Sequence, residues 1–97
     1  MEIKMCEVLV AGRISSDLTR LDNGSVHFLL NALEGESPLH CFAEETTADN
    51  LMKFCEKGDE VSCEGQLDYY QFANQQKPQL LVKVRYVSYG RKKRTLR

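Results

Sequence analysis

Five short stretches in which apolar and polar residues alternate constrain this chain more than any other feature. Successive side chains of a strand point to opposite faces, so such alternation predicts strands with one buried face and one exposed face. A chain of 97 residues has room for only one core, which these strands must share. The predicted strands cover residues 5–14, 25–33, 39–44, 61–69 and 79–89.

Each predicted strand supplies its own share of the core. The expected inward residues are Val8, Val10, Gly12 and Ile14; Val26, Phe28, Leu30 and Ala32; Leu39, Cys41 and Ala43; Val61, Cys63, Gly65 and Leu67; and Leu80, Val82, Val84 and Tyr86. The outward faces of strands two and three include His27, His40 and Phe42. We expect the two histidines to be surface or hydrogen-bonding residues rather than metal ligands.

One stretch has the period of a helix. Apolar residues recur at i, i+3, i+4 and i+7, at Ala48, Leu51, Met52 and Cys55. Thr46 and Thr47 are the N-cap candidates, and Gly58 is expected to end the helix.

The predicted order of elements is therefore β-β-β-α-β-β. It indicates an all-β fold, a five-stranded oligonucleotide/oligosaccharide-binding (OB) barrel with one helix between strands three and four. An open α+β sheet with the helix on one face has the same order. Gly12 and Gly65 favour the barrel, because tightly coiled strands need glycine.

Charge is divided unevenly along the chain. Residues 1–68 carry a balance of −9 and residues 69–97 a balance of +8, although the whole chain has a net charge of −1. A cationic end of this kind can present a basic face to a polyanion. We expect an OB domain over 1–89 and a basic, disordered tail over 90–97.

The remaining chemistry is sparse. The four cysteines fall in apolar patterns, which predicts reduced, buried thiols rather than a disulfide or a metal site. No nucleophile–base pair, tuned carboxylate pair or glycine-rich phosphate loop is evident, so we expect neither an enzyme nor a cofactor. The chain has no apolar run long enough to span a membrane, and we expect a cytoplasmic protein.

Several motifs occur in an order that resembles the bacterial single-stranded-DNA-binding protein family. They are the strand Val8-Leu9-Val10-Ala11-Gly12-Arg13-Ile14, the segment with Asp17, Asn23-Gly24 and His27-Phe28, the helix from Ala48-Asp49-Asn50-Leu51 to Lys57-Gly58, and Val61-Ser62-Cys63-Glu64-Gly65-Gln66-Leu67. The last is the most specific. The resemblance spans residues 6 to 89 and implies an OB fold, binding of single-stranded DNA without sequence preference, and assembly into homodimers or homotetramers through the first strand.

The chain departs from the family pattern in three places. The connection between strands two and three is short and acidic, at residues 34–38. Glu44 stands where the family often has an aromatic residue. The chain ends in a basic segment where the family often has an acidic tail that recruits partner enzymes.

Binding of a single strand requires flat rings for the bases and cations for the phosphates. Tyr70 and Phe72 are the candidate rings, and Phe72 falls where the family stacks an aromatic on DNA. Either ring would alternatively pack in a hairpin or a subunit interface. The candidate cations are Arg13, Lys77, Lys83, Arg85 and, in the tail, Arg91, Lys92 and Lys93. The alternative for the strand cations is an ordinary solvated sheet face.

Two functions follow from the sequence. The first is binding of single-stranded DNA in replication, recombination or repair, with replication proteins as further partners. The second is an OB-fold adaptor or primosome-type assembly subunit whose main partner is a protein, which the acidic connection and Glu44 favour.

Overall fold

A computed structural model describes residues 6–32, 38–70 and 79–90 of the chain. This part of the chain forms six strands and one helix. In chain order they are β1 (Glu7–Ile14), β2 (Thr19–Arg20), β3 (Val26–Ala32), β4 (Leu39–Ala43), α1 (Glu45–Phe54), β5 (Glu60–Tyr70) and β6 (Gln79–Tyr89).

Five of these strands close into a ring. Strand β1 pairs with β5, β5 with β6 and β4 with β3, all antiparallel, while β6 pairs with β4 in parallel. The ring closes where β3 returns to β1, between Gly12–Ile14 and Leu30–Ala32. Gly12 is paired with both neighbours at this point. The closure confirms the OB barrel and excludes the open sheet.

Strand β2 is an addition to the five predicted strands. It forms a short hairpin with β3, and the predicted turn at 22–24 joins them. Gly24 has a φ of +92°, which favours glycine, and its N–H donates to the Leu21 carbonyl at 2.9 Å. Arg20 ties the hairpin to the helix through a 3.2 Å contact with Asp49.

Most of the core consists of residues that the alternation placed inward, together with one face of the helix. The prediction is wrong at the start of β6, where Leu80, the second residue of the strand, is 40% exposed and Leu81 is buried. The buried apolar cluster is Ile14, Val26, Phe28, Leu30, Cys41, Ala43, Ala48, Leu51, Val61, Cys63, Val82 and Val84. Helix α1 packs against β3 and β6 and covers one end of the barrel through Ala48 and Leu51. Burial of each large side chain contributes roughly 1.5–3 kcal/mol.

The ends of the helix differ from the prediction. It begins at Glu45, preceded by an extended Glu44 that makes no side-chain cap, so neither Thr46 nor Thr47 is the N-cap. The Thr47 hydroxyl instead donates to the carbonyl of Arg85 on β6 at 3.0 Å. The helix ends at Phe54, short of the predicted stop. Met52 of the predicted stripe is 41% exposed.

A bulge in β6 changes which side chains face inward. Glu64 of β5 is opposite Tyr86, but its neighbour Gly65 is opposite Val84, so Arg85 is an extra residue. One extra residue exchanges the two faces of a strand. The prediction that Tyr86 points inward is therefore wrong: Tyr86 is 66% exposed, and Val87 packs against the core instead.

The prediction of buried thiols is confirmed for two of the four cysteines and is wrong for Cys6, while Cys55 is half-buried. Cys41 and Cys63 are fully buried, whereas Cys6 is exposed because it precedes β1. Burial, reinforced by the neighbouring Cys55, raises the pKa of Cys63 to about 12. Both core thiols are therefore protonated and act as small apolar groups.

Candidate nucleic-acid interface

A groove of about 720 Å³ runs across the outer face of β3, β4 and β6, beside the β2–β3 hairpin. In OB folds the outer face of the second and third barrel strands is the usual surface for oligonucleotides, and β3 and β4 hold those positions here. The groove is lined by Leu21, Asn23, Ser25, His27, His40, Phe42, Glu44, Gln66, Leu81, Lys83, Val84 and Arg85.

Three rings form one side of the groove, which we call the ring wall: His27, His40 and Phe42. His27 is opposite Phe42 in the β3–β4 register, with ring centroids 4.8 Å apart. His27 and His40 are stacked at 5.2 Å and joined by a 3.0 Å contact from Nε2 of His27 to Nδ1 of His40. All three are half-buried, so each keeps an exposed surface. Flat, partly exposed rings of this kind can stack on nucleobases.

The histidine contact fixes the charge of the ring wall at neutral pH. In a nitrogen-to-nitrogen hydrogen bond, one imidazole donates and the other accepts, so at least one ring is neutral. Burial, and to a smaller extent the neighbouring His40, lowers the pKa of His27. The pair therefore presents aromatic surface rather than two positive charges.

Two cations of β6, Lys83 and Arg85, line the groove beside the ring wall, with Lys83 next to Phe42 in the β4–β6 register. We call them, together with their carboxylate partners Asp68 of β5 and Glu7 of β1 outside the groove lining, the charge wall. Lys83 lies 3.4 Å from Asp68, and Arg85 lies 3.1 Å from Glu7. The charged side chains are between 43% and 64% exposed. Such exposed pairs contribute at most about 1 kcal/mol, so an incoming phosphate can replace the carboxylate.

The bulge in β6 lies at the cations of the charge wall. Arg85 is the extra residue of the bulge, Lys83 precedes it by two residues, and both are exposed. Gly65 makes this possible, because a Cβ there would collide with the backbone carbonyl of Lys83. Glu44 adds one further carboxylate at the groove lining. The groove is therefore nearly balanced in charge.

The structure separates the predicted site residues into four groups. Lys83 and Arg85 are together in the groove. Arg13 is outside the groove lining, and its guanidinium donates to the Gly58 carbonyl at 2.9 Å and to Glu60 at 2.7 Å. Of Tyr70, only the backbone is described, where it ends β5 opposite Gln79. Phe72, Lys77, Arg91, Lys92 and Lys93 lie outside the described residues.

Sequence reasoning missed the ring wall as a site. The alternation did place His27, His40 and Phe42 on outward faces. Their meeting depends on the register between β3 and β4, which pairs His27 with Phe42 and Leu29 with His40. Alternation alone does not give the register of a hairpin, because the register also depends on the length and type of the turn.

Comparison with known proteins supports the fold. No family model and no curated protein matches the sequence. Among solved structures, the mitochondrial single-stranded DNA binding protein Rim1 from S. cerevisiae has 14% identity and a TM-score of 0.77, with coverage of 95% of this chain and 100% of that chain.

Two bacterial structures are similar to a comparable degree. The SSBb protein of Mycobacterium smegmatis has 16% identity and a TM-score of 0.77, with 89% of each chain covered. The small single-stranded DNA-binding protein of Streptomyces coelicolor has 16% identity and a TM-score of 0.70, with coverage of 92% of this chain and 95% of that chain. The structural neighbours are thus single-stranded-DNA-binding proteins, and this chain shares their OB fold.

Two further observations concern other kinds of site. Within residues 6–32, 38–70 and 79–90, no group of three or more His, Cys, Asp or Glu side chains is arranged to hold a metal ion. None of the helical segments in this same part of the chain combines the length and apolar character of a membrane span.

Proposed function

We propose that this protein binds single-stranded DNA without sequence preference, in the groove lined by the ring wall and by the cations of the charge wall. The observation that carries the proposal is that stacking rings and cations lie side by side in one groove, on the surface that OB folds use for oligonucleotides. The function is binding rather than catalysis.

The two walls have different tasks in this proposal. Bases stack on the exposed surfaces of Phe42 and His27, and a working stacking ring contributes ~1–3 kcal/mol per base. Phosphates replace Asp68 and Glu7 as partners of Lys83 and Arg85. Because stacking does not distinguish one base from another, the binding is tolerant of sequence.

The other candidates from the sequence are proposed to contact the same DNA strand. Tyr70 at the end of β5 and Phe72 would add rings, and Lys77 and the basic segment with Arg91, Lys92 and Lys93 would add cations. Each cation near a phosphate adds affinity by releasing counterions. Arg13 is not included, because its guanidinium is engaged by Gly58 and Glu60.

The proposal is tested by titrating fluorescently labelled dT oligomers at low and high salt. Phe42→Leu removes a ring from the groove, and Tyr86→Leu is the matched control because Tyr86 is exposed outside the groove lining. Loss of one stacked base predicts about five- to 150-fold weaker binding for Phe42→Leu. Binding by Tyr86→Leu should be unchanged.

Two results would reject the proposal. One is no binding by the wild-type protein at micromolar concentration in low salt. The other is equal loss of affinity in the two leucine variants, which would place the DNA elsewhere. Circular dichroism of both variants verifies that the barrel is intact.

We also propose that the protein assembles with itself through β1, and that it acts in replication, recombination or repair. Among the described residues, β1 has no strand partner along one edge from Glu7 to Ala11, and the outward Leu9 is 71% exposed. A second copy can pair along such an edge. Light scattering should give two or four times the 11.1 kDa of the chain. A monomer at all concentrations would contradict this.

A second function, that of an adaptor whose main partner is a protein, has its own support. Phe54 and Tyr89 are 52% and 45% exposed and make an edge-to-face contact at 6.3 Å. Exposed apolar residues in proximity are typical of protein interfaces. A pull-down with and without nuclease separates the two functions, since a protein partner retained after nuclease treatment favours the adaptor.

A further inference from the structure

The two histidines of this protein meet inside the groove. The chain contains only two, His27 and His40, and they lie 13 residues apart on neighbouring strands. Their ring nitrogens are 3.0 Å apart, and both rings are part of the groove lining. Protonation of either histidine therefore adds a positive charge at the place where a nucleic-acid strand would bind.

The geometry of the contact makes the pair sensitive to protons. With one ring donating and the other accepting, the contact accommodates at most one imidazolium. A second proton would make both nitrogens donors, which removes the hydrogen bond and sets two positive charges side by side. The hydrogen bond is therefore kept both when the pair is neutral and when it carries one proton, so one proton can be added without breaking the contact.

The groups around the pair work against protonation while the groove is empty. Burial and the neighbouring ring both lower the pKa of His27. Two cations, Lys83 and Arg85, line the same groove. The acidic groups near them are Glu44 between β4 and α1, Asp68 on β5 and Glu7 on β1, and the last two are engaged by the cations. On β2, Arg20 is paired with Asp49 of the helix.

A bound strand changes this balance. Its phosphates bring several negative charges into a groove that has almost no net charge of its own. Nearby negative charge favours the imidazolium form of histidine. A proton taken up on binding then acts as an additional cation toward the phosphate backbone.

We propose that the His27–His40 pair takes up a proton when single-stranded DNA enters the groove, so that affinity increases as the pH falls from 7.5 to 5.5. This inference rests on the proposed function and adds its regulation by protons. The direction follows from linkage, because a ligand that binds together with a proton binds more tightly when protons are abundant.

The inference is tested by measuring the dissociation constant of a dT oligomer at pH 7.5, 6.5 and 5.5 at constant ionic strength. A rise of half to one pH unit in the affinity of the pair for its proton predicts about three- to tenfold tighter binding over this range. Binding calorimetry in buffers of different ionisation enthalpy should show uptake of up to about one proton per site.

Variants assign the effect to the pair. His27→Gln and His40→Gln, singly and together, keep polar side chains but cannot titrate. The double variant should show a dissociation constant that is the same at pH 7.5 and 5.5. Tyr86→Leu, outside the groove lining, should keep the wild-type pH dependence.

The outcomes separate this inference from the proposed function. Binding that is measurable but independent of pH, without proton uptake, overturns the inference and leaves the proposed function intact. The same pH dependence in the double variant also overturns it. Absence of binding at every pH overturns both. If the double variant does not fold, proton uptake by the wild-type protein decides the question alone.

Discussion

The ring wall and the charge wall face the same groove but are built differently. The ring wall comes from β3 and β4, which adjoin in the chain, and its rings contact each other. The charge wall brings together residues from β1, β5 and β6, and its Arg85–Glu7 pair joins positions 78 residues apart. Its cations already have carboxylate partners. Stacking on the rings needs no rearrangement, whereas a phosphate must displace a carboxylate from each cation.

This difference predicts a division of effects. Changes in the ring wall should alter affinity at every salt concentration, because stacking involves no ion release. Changes in the charge wall should alter how steeply affinity falls with salt, because counterion release follows the number of phosphate contacts. The following predictions test that division, beginning with the charge wall's backbone.

Gly65→Ala should have the largest effect, since it alters the bulge on which the charge wall depends. A Cβ at position 65 would collide with the Lys83 carbonyl, which is backbone and cannot move aside by rotation. We expect a loss of about 3 kcal/mol in the free energy of unfolding, measured by urea denaturation. Glu64→Ala, at the exposed neighbouring position, should change it by less than about 0.5 kcal/mol. Equal stability of the two variants would show that the close approach of Gly65 to the Lys83 carbonyl does not constrain the bulge.

Arg85→Gln should separate the walls by their response to salt. Loss of one phosphate contact predicts a salt dependence shallower by about 1 in the slope of log K against log salt. Phe42→Leu should weaken binding without changing that slope. Arg13→Gln is the control, since Arg13 is outside the groove lining, and it should leave both quantities unchanged. A shallower slope in Arg13→Gln instead would move the phosphate path to β1.

Asp68→Asn should tighten binding, because it removes the carboxylate that competes with phosphate for Lys83. The expected gain is about two- to fivefold, the range of an exposed ion pair. Asp17→Asn changes the net charge equally at an exposed loop position and controls for long-range electrostatics. Equal gains in both variants would mean that net charge, rather than the pair with Lys83, limits affinity.

The stability of the DNA-free protein should change with pH in the opposite direction to its affinity. The pKa of His27 is lower in the folded protein than its ordinary value of about 6.5, so the unfolded chain binds more protons near that pH. The contribution of His27 to the free energy of unfolding is therefore fully present above pH 6.5, and it decreases as the pH is lowered toward 5.5. Urea midpoints at these pH values measure the effect, and His27→Gln should reduce it. A midpoint that rises on acidification would contradict the lowered pKa.

The barrel could be predicted because its signals are local. Alternation identified the inward residues of β1, β3, β4 and β5 and the bounds of β6, and Asn23-Gly24 marked the turn before β3. These patterns reflect burial on one face, which one-dimensional sequence records directly. Strand β2, of only two residues, is too short to show a period.

The groove could be predicted only in part, because it depends on relations between strands. Lys83 and Arg85 were recognised as outward cations, but their carboxylate partners come from distant strands. Tyr86 was assigned to the wrong face because the alternation of apolar and polar residues does not reveal where a bulge adds an extra residue. The ring wall needed the β3–β4 register. Each miss has the same physical cause: pairing between strands is set by the whole barrel.

The location of DNA on this protein can be measured directly by NMR of its two histidine rings during titration with a dT oligomer. With only two histidines in the chain, each ring signal can be assigned by a single His→Gln variant. Stacking of bases on the ring wall should shift the ring protons of His27 and His40 upfield at a saturable oligomer concentration, while the exposed Leu9 and Tyr86 remain unchanged. Unchanged histidine signals at saturation, with shifts at Leu9 and Tyr86, would show that DNA binds outside the groove.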